Sequence, residues 1–470
     1  MFRFQKKSLY ILAAALSVSG PLLLHLGYIE LPDPLRQWAE ASVQREALSP
    51  EARPETPFKK QVRFFIDQPA PQKQSAVTKE YRRPLNKKLQ KEIEAPPQEK
   101  GSSFTRRMLA AQVLLFDCKD YADVEDCMRR LGRAGVNTLI VRAFQNRGDA
   151  VYRFARPQCS EGVYFETESA PVVDPLLPRL VSIGHRHGLK VFAWMETRKM
   201  PLRLADPEGS KAIGYDFEKG GLEPIGMWSI FDQAVERGLV ALYRDVVRSG
   251  IDGILIQDDL VMYHCEDFSP KAKALFEQET GKVLNPEALY QSPFKDSQGR
   301  WCVSHYEDTF WEWSRWKNGK LLEIARKLIQ ASRQVNPRIE FAMNFMYESV
   351  TDPRNALAWL SQSLTESTRL PIDFFAIMAY HRQIKAELNL TDAVTYEKIS
   401  NMTSNLHELI DDPNKILMKV QLKDWDTGKE IPAVETDEIF RRINAKGRVS
   451  LAFIPYSARV HLDVIQHHLE

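Results

Sequence analysis

The sequence predicts an α/β protein, a (β/α)8 TIM barrel preceded by a transmembrane anchor and a disordered linker. Three observations lead there. After Arg107, eight short apolar runs alternate with amphipathic stretches. Those runs end in polar and aromatic side chains, as barrel strands do where they deliver chemistry to a rim. Before Arg107, a long uncharged segment gives way to a stretch rich in Pro, Gln, Lys and Glu.

The amino terminus, Met1 to Lys7, is basic, and Leu9 to Leu31 is almost free of charge, broken mainly by Ser17, Ser19, Pro21 and His25. A bilayer needs about 20 such residues. A cleaved signal peptide is the rival reading, but the apolar core is long and no clear small-x-small site follows it. Residues 1–31 are therefore expected to be an uncleaved anchor. Lys6 and Lys7 precede the span with no comparable cluster after it, which puts the rest of the chain on the periplasmic side of the cytoplasmic membrane. Residues 32–104, with Gln68-Pro-Ala-Pro-Gln-Lys-Gln-Ser75 and Ala95-Pro-Pro-Gln-Glu-Lys100, bury too little to fold alone and read as a tether. Lys59 to Ile66 is an amphipathic patch within it, read as solvated linker.

From residue 105 to 470 the strand-like runs are Met108 to Phe116, Thr138 to Phe144, Lys190 to Met195, Gly253 to Gln257, Glu340 to Phe345, Phe374 to Tyr380, Ile416 to Leu422 and Val449 to Pro455. Helical patterns are predicted over Val124 to Ala134, Pro175 to His187, Ala234 to Ser249, Thr309 to Val335, Ala356 to Ser367, Tyr396 to Ile410 and Glu435 to Ala445. Eight βα units suit a barrel, whose usual size is about 250 residues plus insertions. An open doubly wound sheet is disfavoured because no GxGxxG or P-loop follows any strand.

The central run is Asp252-Gly-Ile-Leu-Ile-Gln-Asp-Asp259. Its apolar core is too short for a helix and does not alternate, as in a strand covered on both faces. Two adjacent carboxylates without partners would be costly to bury, so Asp258 and Asp259 are expected at a cleft and are the candidate catalytic pair. The other strand ends supply candidate substrate-binding residues: Arg142, Gln145, Trp194, Glu196, Asn344, Tyr347, Tyr380, His381, Gln421, Asp424, Trp425 and Tyr456. Each has a bland alternative in packing or loop capping, but together they describe a polar cleft walled by aromatic rings. Such a cleft suits sugars, whose C–H faces stack on rings while carboxylates and amides bond their hydroxyls.

Net charge is only +2 and no nucleic-acid motif is present, so nucleic acid is not an expected partner. The five cysteines form no CxxC pair. Cys118 and Cys127 could pair in an oxidising compartment, though buried thiols are the simpler reading. No metal or cofactor is expected; His264 with Glu266 and Asp267 matches no common zinc spacing and reads as a solvated loop.

Val141-Arg-Ala-Phe-Gln145, Val191-Phe-Ala-Trp-Met195, the Asp252–Asp259 run and Phe375-Ala-Ile-Met-Ala-Tyr380, in that order, resemble the C-terminal glycoside hydrolase domain of PgaB-type poly-β-1,6-N-acetylglucosamine deacetylases. The resemblance covers about residues 105–470 and implies a barrel that binds and cleaves partly deacetylated poly-glucosamine. The deacetylase domain of that family has no counterpart here, so deacetylation is not expected. Chitinases offer a more distant likeness through DxxDxDxE: aligning Asp252 with its first acid sets Leu255 and Gln257 on the middle acids and Asp259 on the terminal proton donor. It also likens Tyr380 to the chitinase tyrosine that bonds the acetamido oxygen. The expected function is hydrolysis of an amino-sugar exopolysaccharide in biofilm processing, with polysaccharide synthesis or export proteins as possible partners. A non-catalytic polysaccharide-binding or export module is the alternative, as is a hydrolase of chitin-like or peptidoglycan chains; release of reducing ends separates lectin from hydrolase.

Overall fold

The computed structural model describes residues 106–295 and 301–456. The anchor, the linker and the Lys59–Ile66 patch lie outside the described residues, within which no helix is long and apolar enough to cross a membrane. Eight parallel strands close into a barrel: β1 (Leu109–Val113), β2 (Thr138–Arg142), β3 (Lys190–Met195), β4 (Gly253–Ile256), β5 (Glu340–Phe345), β6 (Phe374–Met378), β7 (Ile416–Gln421) and β8 (Ser450–Ile454). Each pairs with the next, and β8 closes on β1 with Leu109 opposite Leu451 and Ala110 opposite Ala452. All eight runs read as strands in the sequence are strands, with ends trimmed by a few residues at most. The outer ring includes α1 (Tyr121–Arg133), α2 (Leu177–Arg186), α3 (Gln233–Val247), α4 (Asp308–Val335), α5 (Pro353–Leu360), α6 (Asp392–Leu409) and α7 (Ala433–Asn444). Local chemistry sets several of their starts. The Asp120 side chain accepts from the amides of Ala122 and Asp123 at α1, and Asp232 caps Ala234 at α3.

The rings of Phe192 on β3 and Phe374 on β6 meet at 6.3 Å across two intervening strands, so both point into the barrel. Alternation and register then fix the other inward side chains. Phe192 pairs with Gly253 and Trp194 with Leu255; Leu255 pairs with Ala342, Asn344 with Ala376, and Met378 with Lys419. Gly253 is required here, because a Cβ would stand 2.4 Å from the Phe192 ring. The floor is thus apolar. Toward the carboxyl ends the inward layer turns polar, with Gln112, Arg142, Asn344, Lys419 and Gln421 all buried.

Three sequence expectations need correction. The helix predicted over Ala356–Ser367 is broken after Leu360, where Ser361 takes a left-handed conformation (φ 50°) and its hydroxyl donates to the Met262 carbonyl at 2.9 Å. The run ending at Tyr380 stops as a strand at Met378, and His381 opens a further helix, His381–Leu388. His264, Glu266 and Asp267 are buried rather than solvated. Glu266 is tied to Arg198 at 2.5 Å, both side chains fully buried, and Lys317 donates to the Glu266 and Tyr263 carbonyls.

Two insertions stand above the carboxyl ends of β3 and β4. The first is a hairpin of Lys211–Asp216 and Gly221–Trp228; the second holds a helix, Pro270–Thr280, and a hairpin of Tyr290–Lys295 and Trp301–Tyr306. They share a second apolar core of Phe268, Phe276, Tyr290, Tyr306, Phe310 and Trp313, against which Ile213, Tyr215 and Phe217 pack. Phe310 stacks on Tyr306 at 3.8 Å, and Phe217 meets Tyr290 edge-on at 4.8 Å.

Candidate active site

The turn leaving β4 sets Asp258 and Asp259 in different surroundings. Asp259 is 3% exposed, and its two oxygens are held from the loop after β3. Oδ2 accepts from the amides of Thr197 and Lys199, both at 2.9 Å, and Oδ1 accepts from the Thr197 hydroxyl at 2.9 Å. Burial pushes the Asp259 carboxyl above the usual range, against the pull of the Lys199 and Thr197 amides. Asp258 is half-buried and takes no hydrogen bond from the described residues. Both aspartates line a small, partly enclosed cleft with Lys199, Val261, Tyr263, Met346 and Leu360.

At the end of β6 stands Tyr380, with Trp425 from the turn after β7 edge to face on it at 5.7 Å. Burial raises the Tyr380 phenol well above its usual value, and the negative charge of Asp258 adds to this, so Tyr380 remains a neutral donor. Beneath lies Lys419, which sequence reasoning missed. It is 1% exposed and its Nζ donates to Asn344 Oδ1 at 2.8 Å across β6. A lone lysine inside the apolar run Ile-Leu-Met-Lys-Val of β7 was the available signal, since a charge in a strand buried on both faces needs a partner.

The remaining predicted residues divide by their bonds. Trp194 donates to Gln257, and Asn146 donates to Glu196 at 3.1 Å, so the ends of β2, β3 and β4 are laced together near the cleft. Arg142 donates to Gln145 at 3.0 Å, which also accepts from Tyr164 at 2.6 Å. Gln421 donates to the Lys423 carbonyl and Tyr347 to Glu387. His381 meets Glu435 at 2.8 Å, and Arg382 bridges Glu435 and Asp424. Burial alone would raise Glu435, but Arg382 and His381 overcome it and hold the carboxyl at about 2. The Asp424 charge is therefore engaged by Arg382 and by the Thr427 amide and hydroxyl, rather than standing free on the rim. Tyr456 follows β8, with its amide donating to the Gln112 carbonyl at 2.8 Å and burial raising its phenol above the usual value. Cys127 and Cys118 are buried thiols with sulfurs 3.5 Å apart.

Adjacent carboxyls, one buried and held, the other open to a cleft, can divide the labour of acid and anion. Comparisons with known proteins bear on the fold and the family. The structure matches the PgaB (BpsB) glycoside hydrolase domain from Bordetella bronchiseptica with a TM-score of 0.62 and 19% identity, covering 77% of this chain and 99% of that one. A β-galactosidase from the haloarchaeon Halorubrum lacusprofundi matches at a TM-score of 0.53 and 13% identity, over 77% of this chain and 57% of that one. At these identities the likeness is one of fold. No curated protein matches the sequence. The model of a hypothetical glycosyl hydrolase family, family 13 (GHL13), matches residues 120–454, from the cap of α1 to the last residue of β8. The chain belongs to this family, and by that membership it is a glycoside hydrolase.

Proposed function

We propose that the enzyme cleaves an amino-sugar exopolysaccharide of the poly-β-1,6-glucosamine type, from a position tethered to the outer face of the cytoplasmic membrane. The observation that carries the reading is the unequal pair on β4. Burial favours a proton on Asp259, the general acid for the leaving oxygen. Asp258, open to the cleft, is the anion that meets the oxocarbenium-like centre. Tyr380 is placed to donate to an acetamido oxygen, and Trp425 beside it offers a ring for a sugar face. The substrate class rests on the sequence resemblance to PgaB-type hydrolase domains, supported by the structural match to one of them.

The test is release of reducing ends from partly deacetylated poly-β-1,6-N-acetylglucosamine, with chitin oligomers in parallel. Cleavage of the first and not the second is expected. Asp259→Asn should lower turnover by about 10²-fold or more with affinity held within a few-fold. Substrates with good leaving groups should rescue Asp259→Asn but not Asp258→Asn. Binding without new ends, or near-normal cleavage by both variants, would overturn the assignment.

A further inference from the structure

Arg198 stands between Thr197 and Lys199, the two residues whose amides hold Asp259. Its side chain and that of its partner Glu266 are both fully buried. Nε donates to the Trp228 carbonyl at 3.0 Å, Nη1 donates to the Val261 carbonyl, and Nη1 and Nη2 fork onto the two oxygens of Glu266 at 3.2 and 2.5 Å. The Trp228 amide donates back to the Arg198 carbonyl at 2.8 Å, so this residue is fixed through backbone and side chain at once. Glu266 is fixed in turn. Its Oε1 accepts from the Tyr263 amide at 2.8 Å, and Lys317 donates to the Glu266 and Tyr263 carbonyls. Arg198 thereby ties the loop after β3 to the loop that continues from Asp259, where Val261 and Tyr263 line the cleft. A buried ion pair contributes little net stability over well-packed apolar side chains of similar volume, so what this one can supply is geometry.

We propose that Arg198 is a positioning residue for the active site, its guanidinium locking the loop after β3 so that the Thr197 and Lys199 amides stay aimed at the Asp259 carboxyl. The inference rests on the reading of Asp259 as the general acid. Burial pushes that carboxyl up, and the Lys199 and Thr197 amides oppose it ahead of the Lys199 charge and the Thr197 hydroxyl, so the aim of the amides decides how far it rises. The other charged and titratable groups near Asp259 are Asp258 and Tyr263 in the cleft, Glu196 and Arg198 itself in the loop after β3, and Tyr243 on α3.

Two variants of the full-length chain test this, and both keep the net charge of the pair, so a shift reports the amides rather than a lost charge. Arg198→Lys leaves a cation on Glu266 but replaces the fork with a single nitrogen. Arg198→Met combined with Glu266→Leu removes both charges and fills the space with apolar atoms. The first readout is independent of catalysis. A carboxyl raised by folding adds stability below its unfolded value, about 3.9, and loses it as pH rises through the folded value. In urea unfolding series across pH, the difference between each chain and its Asp259→Asn counterpart isolates that step. With the amides less well aimed at the ion, the step should end about one pH unit higher in both variants, and the basic limb of kcat/KM should move up with it. A step and a limb that stay at the wild-type pH in either variant, however large the fall in stability, would overturn the proposal and reduce Arg198 to packing. A step that moves while the limb does not would keep Arg198 as the holder of Asp259 and remove Asp259 as the acid. If the wild type cleaves no glycan, the proposed function falls and the unfolding step alone decides the role of Arg198.

Discussion

Thr197→Val removes one hydroxyl and leaves the shape of a fully buried side chain almost unchanged. The lost contact is the 2.9 Å bond to Asp259 Oδ1; the Thr197 and Lys199 amides remain, so the carboxyl keeps its place. A hydrogen bond to a charged acceptor is worth about 1.5–3 kcal/mol. At about 1.36 kcal/mol per pKa unit, the ionised form of Asp259 loses enough to raise its titration by a further one to two units or so. If Asp259 is the acid, the basic limb of kcat/KM moves up by that amount while activity below neutrality stays within a few-fold. Stability should follow the same sign. A carboxyl raised by folding contributes fully below its unfolded pKa, about 3.9, and loses that contribution as pH rises through the folded value. Raising it further makes the deficit of Thr197→Val small near pH 4 and about 1.5–3 kcal/mol near pH 8. Urea titrations at the two pH values and a pH-rate series measure both quantities. A basic limb that stays put or moves down, with a stability gap independent of pH, would refute Asp259 as the titrating acid.

Gly253→Ala brings a Cβ to 2.4 Å from the Phe192 ring and should destabilise the barrel by about 1–3 kcal/mol, read as a lowered denaturant midpoint; an unchanged midpoint would show that Phe192 can move aside. Glu266→Gln leaves the Arg198 guanidinium buried without its counter-ion and should cost about 3–5 kcal/mol, detectable as a large fall in Tm. A fall of only a degree or two would place water in that pocket. Cys118 and Cys127, with sulfurs 3.5 Å apart, should lose both thiols to a disulfide when oxidised glutathione accepts their electrons and protons, and regain them with reductant. Unaltered thiol titration under denaturing conditions after such treatment would refute that outcome.

Strands were legible because all eight are buried on both faces, which leaves short apolar runs between polar breaks. The hairpin of Lys211–Trp228 was not. Its second strand alternates half-buried and exposed residues and carries Gly and Pro, so no apolar run marks it. The aspartate pair was readable as a location, since Asp258 and Asp259 follow the fourth run. Its internal difference was not, because the groups that hold Asp259 come from Thr197 and Lys199, some sixty residues away. For Asp424 and His381 the charge was visible but its partners were not, because Arg382 and Glu435, which engage it, reach them only through the fold. Lys419 lay in plain sight within β7, yet a scheme that reads chemistry only from strand ends passes over a residue one turn of the pleat below.

The shared aromatic core above β3 and β4 has a mechanical consequence. Tyr215 and Phe217 from one insertion pack on Tyr290 from the other, which in turn meets Phe310 at the start of α4, so the strand whose loop clamps Asp259 and the strand that leads to Asp259 are joined above the barrel as well as within it. That side of the cleft is an anvil. Adjustment to a bound glycan then falls to the end of β6, where Trp425 leans on Tyr380 from the turn after β7. The enzyme's tolerance for its glycan is thus set by the compliance of that wall, and broadening or narrowing it is a matter of stiffening the Asp424–Thr427 turn rather than of rebuilding the aspartates.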